Sequence, residues 1–367
     1  MKLTNYFRIL DRYIIKKYVF TFLFIMLLFS LVSVVFDLSE KIEKFLSKDL
    51  SAWYIIKNYY FNFIPWIHSL LFPLYGLITV TFFTSRMAGQ TEIIPMLSAG
   101  ISFNRLLWPF LFSGAIFTGL HLTSNHFVIP QSNKALRTFD NTYIKPGNIK
   151  NRDRNVHLFV APDVTAFIRH YQNMDSSGLD FQMEKFNGEK IEMIFKAKSI
   201  KWKAEPNIWT LQDYEIRTIG DSSEILEIQM GQKMDSAIHL SPADFVFISN
   251  EKDMLTTPEL MEFIERETKK GSGITKAYEI EFYRRTADPF TTLILSFIGV
   301  CIASRKVRGG LGLHLAAGII LGVVFIFLSK MSLTFASNEV LPTGLALWIP
   351  NLIFLTVGFM LLKRAQK

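Results

Sequence analysis

Six long runs without a charged residue divide the chain and predict membrane-spanning helices. A helix needs about 20 apolar residues to cross the hydrocarbon core of a bilayer, and five of the runs reach that length. The fourth run is shorter, so its helix must begin earlier or its flanking side chains must reach back to the headgroups; a buried core helix is the alternative. The runs are 18–36, 58–85, 106–133, 289–304, 309–329 and 340–362.

Between the third and fourth runs, alternating apolar and polar residues predict short β-strands over roughly 150–248. In the segment GEKIEMIFKAKSIKWKA the apolar series runs from Ile191 to Ala197 and then changes phase to Ile200 and Trp202, as a bulge would produce. The spacing of these strands is typical of a sandwich or a jelly roll. Whether their apolar face forms an ordinary core or an interior that accepts acyl chains is left open.

The segment TPELMEFIERETKK at 257–270 predicts a helix that Thr257 caps, Pro258 begins and Gly271 ends. Its apolar stripe packs against neighbouring structure in the simpler interpretation, and meets a partner in the other.

Composition agrees with a membrane protein, because 50% of the 367 residues are hydrophobic, 14% are aromatic and the mean hydropathy is +0.24. The single cysteine, Cys301, excludes an internal disulfide and says nothing about compartment. No small-residue cleavage site follows the first apolar run, so a removable signal peptide is not predicted.

Charge predicts the orientation of the chain. The segments 1–17, 86–105, 305–308 and 363–367 together carry 13 Lys and Arg but only two acids, whereas 126–288 carries 22 Lys and Arg against 25 Asp and Glu. Basic loops remain on the cytoplasmic side, so both termini are predicted to be cytoplasmic and the strand-rich insertion to lie outside. The net charge of +8 is therefore a topological signal, and no nucleic-acid partner is expected.

We therefore predict an α-helical membrane protein with six transmembrane helices and an all-β, jelly-roll-like domain inserted between helices 3 and 4. The predicted domains are 1–133 for helices 1–3, with a short cytoplasmic helix at about 91–100, then 134–256 for the β domain, 257–285 for an extracytoplasmic helix and connector, and 286–367 for helices 4–6.

Motifs for chemistry are missing from the sequence. There is no Walker A segment, no HExxH, no GxSxG and no cysteine cluster. His121 and His126 are five positions apart and do not share a helical face, so no metal site is predicted. His68 lies within the second run, where a hydrogen bond between helices is the expected role. An enzyme is disfavoured.

The link GQTEIIPMLSAGISF at 89–103 is too polar to span a bilayer and too apolar for an ordinary loop. Thr91 is a plausible N-cap, Pro95 fits within a first helical turn, and Gly100 is a plausible stop. These signals predict about two turns of helix on the cytoplasmic side.

The apolar residues of this short helix recur at helical spacing. Ile93, Met96 and Leu97 share one face, and Glu92 lies beside them. The helix either rests in the headgroups, or docks into a groove of a cytoplasmic partner with its acid near a partner arginine. The residues alone do not decide between these two interpretations.

Two features of the fifth run also allow two interpretations. Lys330, at its outer end, either faces a cavity or extends to the headgroups. Gly318 and Gly322 form a small-xxx-small pair that predicts close helix packing and is compatible with a sliding gate.

Several segments resemble the lipopolysaccharide export permeases, the LptF/LptG family. LDRYIIKKYVFTFLF and FDLSEKIEKF resemble the start of that family, and SRMAGQTEIIPMLSAGISFNRLLWP its loop between the second and third spans. FVIPQSN, ADPFTTLILSFIGVCIASRKVRGGLG and LPTGLALWIPNLIFLTVG resemble its later spans. The segment LDRYI favours the G-type over the F-type.

The resemblance implies a permease subunit of an ABC transporter in the bacterial inner membrane. Family members form a heterodimer with a paralogous permease, above two copies of a cytoplasmic ABC ATPase that binds ATP and Mg²⁺; the permease itself binds no cofactor. Lipopolysaccharide is extracted from the outer leaflet of the inner membrane and passed to a periplasmic jelly-roll bridge protein. The alternative that we keep is a membrane-anchored periplasmic scaffold or binding protein for envelope assembly.

The resemblance also implies roles for residues. Glu92 matches the acid that pairs with an arginine of the ATPase, and Pro95 departs from the non-proline residue expected beside it. Asp37 stands where some members have a basic residue. The residues assigned to ATPase coupling are Arg86, Glu92, Ile93, Met96, Leu97 and Gly100. The basic residues assigned to lipopolysaccharide phosphates are Lys41, Lys44, Lys134, Arg137 and Lys330.

Overall fold

The computed structural model describes residues 9–145, 149–151, 153–204, 207–220, 223–248, 250–305 and 310–365. The basic residues at 1–8, 306–308 and 366–367 that contribute to the orientation lie outside them. The chain divides into two units, which we call the helical unit and the strand unit. The helical unit is Met1–Ile144, Lys252–Thr257 and Ala277–Lys367, and the strand unit is Lys145–Glu251 and Pro258–Lys276.

Six helices of the described chain are long and apolar enough to cross a membrane, as the uncharged runs predict. They are Ile9–Ser47, Ala52–Gly89, Phe103–Ile144, Thr275–Ala303, Leu311–Ser337 and Thr343–Ala365. The fourth helix begins at Thr275, well before its uncharged run, so it gains its length by an earlier start. The third continues to Ile144, and the first strand begins at Ile149.

We number the regular helices in chain order. They are α1 Ile9–Ser47, α2 Ala52–Ile55, α3 Phe61–Gly89, α4 Ile93–Ser98, α5 Phe103–Thr123, α6 Ile129–Phe139, α7 Thr257–Lys270, α8 Thr275–Ala303, α9 Gly310–Ser337 and α10 Thr343–Ala365. Single π-helical turns at Ile56–Tyr60 and Ser124–Val128 join α2 to α3 and α5 to α6, and a third, Asp140–Ile144, ends the third span.

Small residues bring the central helices of the helical unit into close contact. A Cβ added to Gly76 of α3 would lie 2.9 Å from Thr292 Cγ2 of α8, so the two helices approach each other closely at this glycine. The predicted pair in α9 also packs tightly, because Cβ atoms on Gly318 and Gly322 would lie 3.3 Å from Thr81 and 3.4 Å from Leu77 of α3.

The helices α1 and α9 lie at the periphery of the helical unit. In the most apolar 18-residue stretch of each helix, only 11% of the residues of α1 and 17% of those of α9 are buried. The buried part of α1 is its first half, where Ile14, Tyr18 and Phe22 are each 0% exposed. The ring of Phe22 stacks on Phe117 of α5, with centroids 3.7 Å apart.

The strand unit is built on a six-stranded antiparallel sheet in which the strands follow chain order, β2-β3-β4-β5-β6-β7, while β1 pairs with β8. This sequential order is the detail that the jelly-roll-like prediction left open. The strands are β1 Ile149–Asn151, β2 Arg154–Ala161, β3 Val164–Gln172, β4 Ser177–Asn187, β5 Lys190–Ala204, β6 Ile208–Ile219, β7 Glu224–Ala237 and β8 Val246–Ile248.

The phase change predicted in β5 is present, but its cause differs from the predicted bulge. Ala197 and Ile200 are both buried, yet they pair in one continuous register with Phe181 and Gly178 of β4. The neighbouring strands change face at the same level, where Asp180 and Asp213 have positive φ angles. The sheet is therefore creased across several strands.

The helix α7 has the bounds that its sequence signals predict. Leu260 is 0% exposed, and Lys270 Nζ lies 3.1 Å from Asp244 Oδ2 within the strand unit. These contacts favour the packing interpretation of its apolar stripe.

Candidate functional site

A stripe of charge runs along the first half of α8. Glu281, Arg284, Arg285 and Asp288 are spaced so that all four share one helical face. Glu281 accepts hydrogen bonds from both arginines, from Arg284 Nη2 at 2.6 Å and from Arg285 Nε at 3.1 Å, and Arg284 Nε lies 4.0 Å from Asp288 Oδ2. Counting uncharged runs missed this stripe, because a run ends at its first charge; the spacing itself was the signal.

The buried member of the stripe, Arg285, holds the segment Lys252–Thr257. Its guanidinium donates to the carbonyl oxygens of Leu255 at 2.8 Å and Lys252 at 3.1 Å, and to Thr257 Oγ1 at 3.2 Å. The third span contributes further bonds to this segment, from Asn133 Nδ2 to the Asp253 carbonyl at 3.0 Å and between His126 Nδ1 and Thr257 Oγ1 at 2.9 Å. The segment is thereby fixed to α8 and to the third span.

A cavity of about 410 Å³ opens beside this stripe, within the helical unit. That volume is in the range of small-ligand sites, which are about 300–1,000 Å³. One part of its wall is charged and carries Arg137, Asp253, Glu281, Arg284, Asp288 and Lys330. The other part is apolar and includes Trp66, Leu70, Pro73, Leu74, Phe325 and Ile326. The cavity is therefore amphipathic, as a site for a lipid with a charged headgroup would be.

Two of the five predicted phosphate ligands meet in this cavity. Arg137 of α6 and Lys330 of α9 both line it, and among the described residues neither has a carboxylate within 4.0 Å. Arg284 and Arg285, by contrast, are paired with Glu281. The two cations without an ion pair are the groups of the wall that an anion could approach without breaking a salt bridge.

The other three predicted basic residues are placed elsewhere. Lys41 forms an ion pair with Asp37 at 2.7 Å, donates to the Tyr59 hydroxyl and lies 4.7 Å from the centre of the Tyr59 ring. Its charge is thus already compensated, and the interleaved acid Asp37 is its partner. Lys44 and Lys134 are exposed and do not line the cavity.

The carboxyl group of Asp253, which lines the cavity, is buried in a way that disfavours its charged form. Burial and then the negative charge of Glu281 raise the pKa of Asp253, against the opposing effects of Arg284, Lys252 and Arg137.

The second predicted site, the link between α3 and α5, contains the short helix α4. We call residues 90–102 the coupling loop. Pro95 occupies the third position of α4, where its missing N–H costs no helical hydrogen bond. Gly100, at φ +84°, ends the turn, as predicted. The departure at Pro95 is thus accommodated by the first turn of the helix.

Two details of the coupling loop correct the prediction. Thr91 is not the N-cap; α4 is preceded by Glu92, which makes no capping hydrogen bond, and Thr91 has a φ of 57°. Ile93 is not part of an exposed face, because it is 2% exposed and packs into the core of the helical unit. Either neighbour satisfies helical periodicity, and tertiary packing selects Ile93 for the interior.

The exposed apolar residues of α4 are Ile94, at 52%, and Leu97, at 38%, whereas Met96 is partly buried. Arg86, near the end of α3, is exposed. Glu92 is half-buried and accepts a hydrogen bond from the Tyr13 hydroxyl at 3.0 Å. Ile94 is therefore an exposed apolar residue of α4 that the predicted face of Ile93, Met96 and Leu97 did not include.

The histidines take part in packing. His68 Nε2 lies 2.9 Å from Ser30 Oγ of α1, which agrees with the expected bond between helices. His121 is 1% exposed and stacks on Phe72. Within the described residues, no group of three or more His, Cys, Asp and Glu side chains is placed to hold a metal.

The described chain has six helices that are long and apolar enough to cross a membrane, and an antiparallel sheet follows the third of them in sequence, which is the architecture of a multi-pass membrane protein with an inserted β domain. Residues 12–364 match the family described as lipopolysaccharide export system permease LptF/LptG. The match covers nearly the whole chain, and the protein belongs to this family of inner-membrane transport subunits. No curated protein matches the chain individually.

Proposed function

We propose that this protein is a permease subunit of an ABC transporter, which extracts lipopolysaccharide from the outer leaflet of the inner membrane. In this proposal both termini are cytoplasmic and the strand unit is periplasmic. The observation that carries it is the amphipathic cavity, in which Arg137 and Lys330 lack ion-pair partners among the described residues and which apolar side chains also line. A lipid bearing phosphates matches both parts of that wall.

The proposed partners follow from the exposed surfaces. The outward apolar faces of α1 and α9 would meet the paralogous permease of a heterodimer. Two copies of an ABC ATPase, which would bind ATP and Mg²⁺, would dock on the complex, one of them on the coupling loop of this chain. The edge strand β7 exposes Ile225, Leu226, Ile228 and Met230, and a jelly-roll bridge protein could add its own strand there.

Charge reversal tests the cavity. In a complex reconstituted into nanodiscs, Arg137→Glu and Lys330→Glu are expected to lower lipopolysaccharide-stimulated ATP hydrolysis at least about tenfold, because each replaces an attraction to phosphate with a repulsion. Lys134→Glu is the matched control, since Lys134 lies on the same helix as Arg137 but is exposed. Normal stimulation in both cavity variants would refute the proposed substrate site.

Substitution in the coupling loop tests the docking. Glu92→Ala and Leu97→Ser are expected to reduce the amount of ATPase that co-purifies, while the permease still inserts into the membrane. Ile93→Ala is the contrasting variant, because a buried side chain should affect stability before it affects docking. Unchanged co-purification and hydrolysis in Glu92→Ala would contradict its role. A permease that recruits no ATPase, in any form, would favour the scaffold alternative.

A further inference from the structure

The start of α1 is bonded to both sides of the coupling loop. On one side, the Tyr13 hydroxyl donates to Glu92 Oε2 at 3.0 Å, and Lys17 Nζ donates to the same hydroxyl at 2.6 Å. On the other side, Arg105 Nη2 lies 2.5 Å from Asp11 Oδ2, immediately after the loop. These pairs are distant in sequence, with 79 positions between Tyr13 and Glu92 and 94 between Asp11 and Arg105.

The residues that join α1 to the coupling loop and to α5 are largely buried, which strengthens the attachment. The side chain of Asp11 is 3% exposed, against 35% for that of Arg105, and loss of a partner from a buried carboxylate is costly. Between the two polar links, Ile93 of the loop and Ile14 of α1 enter the same hydrophobic cluster, at 2% and 0% exposure. The loop and the first turns of α1 thus share an apolar contact with a polar bond on each side.

The rest of α1 is bound differently. Between Phe22 and Phe45 no residue of α1 is fully buried. Leu23 and Phe24 are at least half exposed, and this part of the helix is held by partly buried side chains such as Phe29 and by the bond between Ser30 Oγ and His68 Nε2. The first turns of this peripheral helix therefore contact the coupling loop and the start of α5, its last turns contact the second span through Lys41 and Phe45, and fewer side chains are buried between these two ends.

We propose that Asp11 and Tyr13 are positioning residues that make α1 move with the coupling loop, so that displacement of the loop by an ATPase is passed directly to the first span. The inference rests on the proposed function, because it needs an ATPase that acts on the loop. It assigns to Glu92 a second bond, toward α1, besides the one expected to its partner.

A distance measurement tests whether the two elements move together. Spin labels at Lys16→Cys and Ala99→Cys, both exposed positions, in a Cys301→Ala background report the separation of α1 from the loop in the assembled complex. We expect the distance distribution to be the same without nucleotide and with trapped ATP. In Tyr13→Phe combined with Arg105→Ala it should broaden or shift between the two states. A distance that changes with nucleotide in the otherwise unmodified chain would overturn the proposal.

A coupling measurement tests the consequence. In the reconstituted complex, Tyr13→Phe and Arg105→Ala are each expected to lower the lipopolysaccharide released per ATP hydrolysed at least about tenfold, the effect of losing one hydrogen bond to a carboxylate. ATPase co-purification should stay normal, and Arg105→Lys should restore most of the ratio. Tyr54→Phe is the control, because it removes a hydroxyl bonded to Tyr143, away from the loop.

The outcomes separate the two proposals. An unchanged ratio in both Tyr13→Phe and Arg105→Ala, with the complex assembled, would refute the positioning role and leave the permease function intact. A complex whose ATP hydrolysis never responds to lipopolysaccharide, even without substitutions, would refute the proposed function instead.

Discussion

Replacing Arg285 with alanine is expected to destabilise the helical unit by about 3 kcal/mol, the lower end of the cost of breaking a buried ion pair. Arg285 is 3% exposed and bonds to Glu281, Thr257 and the carbonyls of Lys252 and Leu255. Truncation would leave the two carbonyls without this donor, at about 1–3 kcal/mol for each one that stays buried. Glu281 would keep its bond to Arg284, which limits the loss.

The matched control is the neighbouring arginine. Arg284 bonds to the same carboxylate, but its side chain is 44% exposed, so Arg284→Ala should cost about 1 kcal/mol or less. Both variants are compared by SDS titration of the free energy of unfolding in detergent. Hydrogen exchange should also become faster across Lys252–Thr257 in Arg285→Ala alone. Equal destabilisation by the two substitutions, or unchanged exchange in that segment, would refute the assignment of Arg285 as the anchor.

Two further substitutions probe the same unit. Because the folded-state pKa of Asp253 is raised, its contribution to stability is present below the pKa of the unfolded chain and is lost as the pH rises through the folded value. Asp253→Asn should therefore be more stable than the unmodified protein at pH 7, with no such gain at about pH 3, as read from SDS titrations at both pH values; a gain independent of pH would contradict this cause. Gly76→Ala should destabilise the unit, since its Cβ would meet Thr292 at 2.9 Å, whereas Gly119→Ala, with no atom within 4 Å, should be neutral or stabilising. Equal unfolding free energies for the two alanine variants would rule out the close α3–α8 contact.

The spans were predictable because a charge in hydrocarbon is costly, so uncharged runs identify most membrane helices. The same rule concealed the most informative helix. The charged stripe of α8 lies before the run 289–304, and a count that stops at the first charge assigns it to a connector. The helical spacing of four charged residues predicts that they share one face of a helix, and such a face must contact other polar groups. These residues are Glu281, Arg284, Arg285 and Asp288.

Packing decides what periodicity leaves open. Ile93 and Ile94 are equivalent by sequence pattern, because this short helix has apolar residues on several sides. Packing into the hydrophobic cluster that also contains Ile14 selects Ile93 for the interior. The crease of the sheet is a similar case. In sequence, the shift of the apolar series of β5 from one face to the other resembles a local bulge. The continuous pairing of β5 with β4 and β6 at this level shows that the neighbouring strands bend at the same place.

Arg137 and Lys330 line the same cavity although they lie on different spans far apart in the chain. The depth of Lys330 in its span already allowed a cavity-facing position, whereas Arg137 could be expected there only from the family resemblance. The balance of charged groups that line the cavity shows why this placement matters. The named wall of the cavity holds four cations, counting Arg285, against the three carboxylates Asp253, Glu281 and Asp288. Glu281 is paired with the two arginines of α8. The uncompensated charge therefore lies on Arg137 and Lys330, which form no salt bridge within the described part of the chain, and a phosphate would gain most by binding there.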